Sequence, residues 1–214
     1  MNRIFALLLA LGVMGCQEPR RSDLVQLDRM KSQVDWRINA AETISCEATD
    51  LICVQLLVAR GSACLQLTED AEGAAARQRR QCSLDDFAAA QRQLPNQAPA
   101  QDRRAVLTGL ASARKVTRDN TLDMAAAAAL NEQITSGLPG LQTVPGGAPY
   151  AAYFASDAEA YRAQRGVMPS AESCRMLGAA RSGLPGAAVP SDLARRVLLL
   201  RTAIDASMLS RSCA

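Results

Sequence analysis

Apolar residues recur along most of the chain at three- and four-residue spacing, and strict alternation of apolar and polar positions is nearly absent. That period marks amphipathic helices, so the expected fold is all-α. From about Ser22 to Ala41, Leu24, Leu27, Val34 and Ile38 share one helical face, with Lys31 interrupting it. Val34, Trp36 and Ile38 also alternate, which leaves a short strand open there. Asp50 to Leu67 is apolar nearly all round (Leu51, Ile52, Val54, Leu56, Leu57, Val58, Leu65), which predicts the most buried helix. A third helix begins at Ala74 or at Ser83, where Asp86 three residues on looks like a capping box, and Pro95 stops it after Leu94.

Pro95 to Gln101 reads as a polar connection. Asp102 then suits the N-cap of a fourth helix carrying Val106, Leu107, Leu110, Ala113 and Val116. The fifth starts near Asn120, with Asp123 close by, and passes through an alanine run to Ile134. Gly137 to Ala148 holds four glycines and two prolines and reads as a long loop. Pro149 fits the first turn of a sixth helix bearing Tyr150, Tyr153, Phe154 and Tyr161. A short helix follows Ser170, a second loop spans Gly183 to Pro190, and a last helix runs from Ser191 to about Arg211. Its residues Leu193, Val197, Leu200, Ile204 and Met208 fall on one stripe. No segment is left over for a sheet.

The start of the chain follows another pattern. Arg3 precedes the uncharged run Ile4 to Val13, ten residues long. That is the length of a signal-peptide core and too short to cross a bilayer core of about 30 Å as a helix. Val13-Met14-Gly15-Cys16 resembles the lipobox of bacterial lipoproteins, with valine where leucine is commoner and a bulky spacer in Met14. The resemblance implies removal of residues 1–15, diacylglyceryl transfer to the Cys16 thiol and acylation of the new amine. An ordinary signal peptide cleaved nearby is the alternative. Residues 16–22 would then be a lipidated tether and 23–214 a single all-α domain. In that family an aspartate after the cysteine tends to retain the protein on the inner membrane. Gln17 stands there, so the implied location is the periplasmic face of the outer membrane.

Export changes how the remaining cysteines read. Cys46, Cys53, Cys64, Cys82, Cys174 and Cys213 form an even set, which in an oxidising compartment reads as a disulfide framework. Placement on neighbouring helical segments favours the sequential pairing Cys46–Cys53, Cys64–Cys82 and Cys174–Cys213. A zinc site is the rival, but no C-x-x-C pair exists, and neither metal nor cofactor is expected.

Histidine is absent altogether, which excludes histidine-ligated metals, a c-type haem site and imidazole-based triads. The balance of 24 basic against 21 acidic residues is nearly neutral and argues against a nucleic-acid binder. Carboxylates are the remaining general acids and bases. Asp85-Asp86 and Glu69-Asp70-Glu72 are the densest groups, read as lying at helix ends, where acids cap or face water. Adjacent helical residues do not face each other, so no enzyme is expected, a single-carboxylate hydrolase of cell-wall glycan being the alternative. Arg77, Arg79 and Arg80 read as a solvated helix face, with lipid phosphate or an acidic partner as the alternative.

Residues Gln55 to Pro139 resemble two degenerate tetratricopeptide repeats. Gly61 and Gly109 stand at the small residue of each first helix. Phe87, Ala90 and Pro95 have the family's spacing at the end of one unit, and Ala127 and Pro139 match in the next, with Asn131 replacing the aromatic. The pattern departs from the family in lacking the opening tryptophan, in placing Cys64 at the tyrosine position, and in extra residues between the helices of each unit. A generic helical bundle with glycine and proline in its turns is the alternative.

The resemblance implies a solenoid of antiparallel helical hairpins over about 50–139. Such scaffolds need about three units to bury their ends, so the first helix and those of 149–214 read as caps. The family's first helices line a concave groove that binds proteins or peptides. Its groove-facing places fall on Gln55, Val58, Ser62, Leu65 and Gln66, and on Arg103, Val106, Leu110, Ala113 and Arg114. Arg103 and Arg114 are close to three turns apart and offer charge-assisted hydrogen bonds to a carboxylate. The expectation is therefore a lipid-anchored envelope scaffold for another envelope protein or peptide. A purely structural envelope component is the further alternative.

Overall fold

The computed structural model describes residues 19–45, 50–69, 71–186 and 189–213. Within them the chain is all-α: α1 (Pro19–Ser32), α2 (Trp36–Ala41), α3 (Leu51–Gln66), α4 (Gly73–Gln93), α5 (Ala100–Asp119), α6 (Met124–Gln142), α7 (Ala148–Arg165), α8 (Ser170–Gly183) and α9 (Ser191–Ser210). Three hairpins, α3–α4, α5–α6 and α7–α8, stack in sequence order, with α4 against α5 and α6 against α7. The short α1 and α2 cover α3 at one end, and α9 packs on α7 and α8 at the other. α3 also meets α5, α7 meets α9, and residues of these four odd-numbered helices line one side of the stack.

Two devices start these helices. Asp35, Asp50 and Asp123 cap α2, α3 and α6, each side chain accepting from the amide two residues on at 2.9, 3.2 and 2.9 Å. Before α5, α8 and α9 stand Pro99, Pro169 and Pro190, with φ of −52, −57 and −53°. Their carbonyls accept from Arg103, Ser173 and Ala194 at 3.0 Å. Asp102 is therefore not the cap of α5. It sits in the first turn, where its charge offsets the helix dipole.

The fold corrects several expectations. The first predicted helix is broken at residues 33–35, where Asp35 starts α2; no strand forms there, and Val34 is 88% exposed. Leu27 and Met30 make the buried contacts of α1 instead. Ser83 is no helix start. It lies buried in the middle of α4, as does Asp86, so the Asp85-Asp86 pair is not at a helix end.

The largest correction is α6, which runs through Gly137 and Pro139 to Gln142 where a loop was expected. Leu138 and Leu141 pack into the main core between α5 and α7. Their burial outweighs the one hydrogen bond that Pro139 cannot donate. The turn to α7 is confined to residues 143–147. There Gly146 adopts φ +74°, and a Cβ on Gly147 would stand 2.0 Å from the Leu141 carbonyl oxygen.

The main core lies between α6, α7, α8 and α9, around Ile134, Phe154, Leu177, Leu193 and Ile204. In the first half, the buried Phe87 ring of α4 lies against Gly61 of α3 and Gly109 of α5, the two glycines singled out in the sequence. Disulfides join Cys64 to Cys82 across α3–α4 and Cys174 to Cys213 across α8 and the end of α9, with Cα separations of 6.1 and 5.4 Å. Cys53 is also disulfide-bonded; the Cys46 expected to pair with it lies outside the described residues, as do the signal segment and Cys16. No helix among the described residues is long and apolar enough to cross a membrane.

Candidate functional site

The shared side of the odd-numbered helices forms a groove of about 900 Å³. From α3 it is lined by Val58, Ser62, Leu65 and Gln66, a set at helical spacing. From α5 it receives Gln101, Arg104, Thr108, Ser112 and Lys115. Tyr150 and Tyr153 of α7 and Asp192 and Arg196 of α9 close one side, and Trp36 of α2 stands at the other.

Hydrogen bonds hold the polar wall in place. The Tyr150 hydroxyl donates to the Asp192 carboxylate at 2.8 and 2.9 Å, tying α7 to the first turn of α9. Arg196 donates from Nη2 to Ser112 Oγ at 3.1 Å, and its guanidinium lies 5.0 and 5.5 Å from the Tyr153 and Phe154 ring centroids. Arg104 donates from Nη1 to the Pro145 carbonyl at 2.7 Å, clipping the α6–α7 turn. Burial raises the Tyr150 pKa, as do the hydrogen bond and charge of Asp192, while Arg104 and Arg196 pull against them. Lys115 is held the same way: burial lowers its pKa, but the carboxylates of Asp157 and Asp119 outweigh it and the net shift is upward.

Behind the groove a buried ionic knot joins α5, α6 and α7. Arg118, 2% exposed, donates to Asn131 Oδ1 at 2.7 Å and to Asp157 Oδ2 at 2.8 Å. Nε and Nη2 also donate to Asp119 Oδ1 at 2.9 and 2.7 Å, and the guanidinium sits 4.2 Å from the Tyr161 ring centroid. Asn131, at the place where the repeat resemblance implies an aromatic, also donates from Nδ2 to the Ala158 carbonyl of α7 at 3.3 Å. Arg60 plays the matching role nearer the N-terminus, gripping the buried Asp86 through Nε and Nη2 at 2.8 and 2.6 Å.

The structure divides the sequence-derived groove set. Ser62 and Gln66 line the groove, with Val58 and Leu65. Gln55 does not: its amide donates to Asp102 at 2.9 Å, and its oxygen accepts from Lys31 at 3.4 Å. Arg103 and Arg114 are also off the groove. Arg103 is exposed outside it, and Arg114 lies on the α6 side, donating to the Gln133 carbonyl at 3.0 Å. Burial there lowers the Arg114 pKa. Val106, Leu110 and Ala113 are core.

The cause is helical register. One residue turns a helix by about 100°, and the two glycines that set the count are not equivalent: Gly61 faces α4 of its own hairpin, whereas Gly109 faces α4 of the preceding one, so equal offsets from them reach different faces. The sequence held a better signal. The apolar stripe Val106, Leu110, Ala113 must face the core, which leaves Gln101, Arg104, Thr108, Ser112 and Lys115 for the opposite face. Tyr150, Asp192 and Arg196 carried no such signal, because α7 and α9 meet only in the folded chain.

Of the other sequence candidates, Asp85 is exposed and Asp70 lies outside the described residues. Arg77 is exposed, with Arg79 and Arg80 half-buried. Among the described residues no three Cys, Asp or Glu side chains converge as metal ligands. Compared with known proteins, the chain matches no family model, no curated protein and no solved structure.

Proposed function

We propose that this protein is a lipid-anchored envelope scaffold whose groove holds an extended segment of another envelope protein or peptide. The observation that carries the reading is the groove itself, about 900 Å³ along the first helices of successive hairpins. Its apolar part (Trp36, Val58, Leu65, Phe87) accepts side chains, and its polar part (Gln101, Thr108, Ser112) offers backbone-like hydrogen bonding. The groove-facing residues of α3 support the tetratricopeptide-like reading of the stack. Anchoring through an acylated Cys16 would hold the domain at the membrane, on the periplasmic side of the outer membrane.

Filling the groove tests the reading. In Ser62→Trp and Thr108→Trp the indole occupies the space a partner needs, whereas Ala128→Trp adds the same bulk to an exposed site on α6. A partner recovered with the lipidated protein from crosslinked envelopes is expected to persist with Ala128→Trp and to be lost from both groove variants. Retention in the groove variants contradicts the assignment. For the anchor, mass spectrometry of the mature protein is expected to begin at an acylated Cys16; an unmodified amine at another residue contradicts it.

A further inference from the structure

The stack of hairpins ends on a helix without its second member. α3, α5 and α7 are each packed against the helix that follows them, whereas α9 meets α7 and α8 and has no helix after it among the described residues. Its buried side carries Leu193, Val197 and Ile204. The opposite side is not the polar face that a solvated terminal helix presents. At about 100° per residue, Arg195, Leu198, Thr202, Ala206 and Leu209 fall within a quarter-turn of one another, with Leu199 at their edge, and all are exposed. Leu198, Leu199 and Leu209 are 63, 59 and 80% exposed, so three leucines of one helix face stand in water.

We propose that this face is a self-association surface, on which α9 of a second copy packs antiparallel in the place of the missing helix. Its residues are complementary to themselves. A two-fold axis set between Ala203 and Ile204 brings Leu198 of each copy against Leu209 of the other, and the two leucines lie about 16 Å apart along their own helix. The same register brings Arg201 beside Asp205 of the other copy. Arg201 and Asp205 are four residues apart on one edge of the stripe, the edge toward α8, where Asp205 accepts from Arg181 at 2.6 Å and keeps 40% of its side chain exposed. In a two-fold antiparallel pair, each edge of one helix runs beside the same edge of the other, so both cross-pairs form at once. Parallel pairing sets Arg201 against Arg201, and charge therefore selects the antiparallel arrangement. A bilayer is the poorer occupant, because α1, which follows the proposed anchor, lies at the other end of the stack. The pairing is independent of the groove reading.

Sedimentation equilibrium of the purified protein, with its anchor in density-matched detergent, reads the mass of the complex. A dimer in reversible equilibrium with monomer is expected. Leu198→Glu with Leu209→Glu is expected to weaken it at least about a hundredfold, since four leucines lose their apolar contact. Both sites are exposed, so this variant is expected to melt with the unaltered protein. The register is read separately, by mixing Leu198→Cys copies with Leu209→Cys copies and oxidising. An interchain disulfide is expected in the mixture and in neither variant alone, because each position stands about 16 Å from its own counterpart, beyond disulfide reach. A monomer at every concentration overturns the proposal; if a dye on Leu209→Cys then shifts with phosphatidylethanolamine–phosphatidylglycerol vesicles, the face belongs to a bilayer. A dimer undiminished in the double glutamate variant overturns it by putting the contact elsewhere. Links formed within either cysteine variant alone contradict the antiparallel register.

Discussion

At the scale of single residues, neighbours that look alike in the sequence separate by what they touch. Asp85 and Asp86 read as one acidic pair. Asp86 is 2% exposed and bound twice by Arg60, while Asp85 faces solvent with only Gln81 against it. Asp86→Ala is expected to cost about 3 kcal/mol in denaturant unfolding, near the low end for a broken buried pair because Arg60 keeps some solvent contact. Asp85→Ala should change stability by less than about 0.5 kcal/mol. Equal effects contradict the assigned roles. Tyr150 and Lys115 make a different prediction, in pH. Both hold their protons more tightly in the folded chain than at their ordinary values of 10.0 and 10.5. As pH rises past those values the unfolded chain releases the protons first, so the stability they contribute is lost as pH climbs through the folded values. Melting temperatures measured from about pH 9 to 11 should fall. Tyr150→Phe and Lys115→Gln should each flatten the fall, and an unchanged slope in both contradicts the account.

At the scale of elements, the helices were legible where one apolar stripe dominates and illegible where burial overrides a local breaker. The stripe of α9 was readable outright: Leu193, Val197 and Ile204 are buried as their spacing implies. The end of α6 was not, because Gly137, Pro139 and Gly140 carry strong loop signals, while the packing of Leu138 and Leu141 that keeps the helix going depends on α5 and α7. Pro139→Ala restores the missing donor inside an intact helix and is expected to raise stability by about 1–3 kcal/mol. A loss would mean that the proline shapes the helix rather than being tolerated by it.

Phe87 makes the contacts that the two glycines permit, with Gly61 inside its own hairpin and with Gly109 across to the next. A Cβ on Gly109 would stand 2.0 Å from the Phe87 ring, against 3.1 Å for the nearest contact of one on Gly61 and nothing within 4 Å for one on Gly178. Gly109→Ala should therefore cost about 1–3 kcal/mol and Gly61→Ala less. Gly178→Ala should gain about 0.5–1 kcal/mol from helix propensity alone. Any other order among the three, read from unfolding midpoints, contradicts the packing described.

At the scale of the whole molecule, the all-α class was readable from helical period, and the neighbour-to-neighbour stacking of hairpins was what the repeat resemblance implied. Four of the five α3 places that the repeat resemblance implied, Val58, Ser62, Leu65 and Gln66, line the groove, and Gln55 does not. The α5 wall was misplaced by register, and the α7–α9 wall was invisible, since it depends on two helices brought together by a main core that no local pattern encodes. The central claim is that the odd-numbered face is where a partner sits. Site-specific photo-crosslinking in intact envelopes tests it most directly. A photoreactive residue is placed at Ser62 or Thr108 in the groove and at Ala128 or Ser182 on exposed positions of α6 and α8. The account predicts one common adduct from both groove positions, none from the two exposed ones, and its loss when the other groove position carries tryptophan. Adducts from α6 and α8 with none from the groove would contradict it.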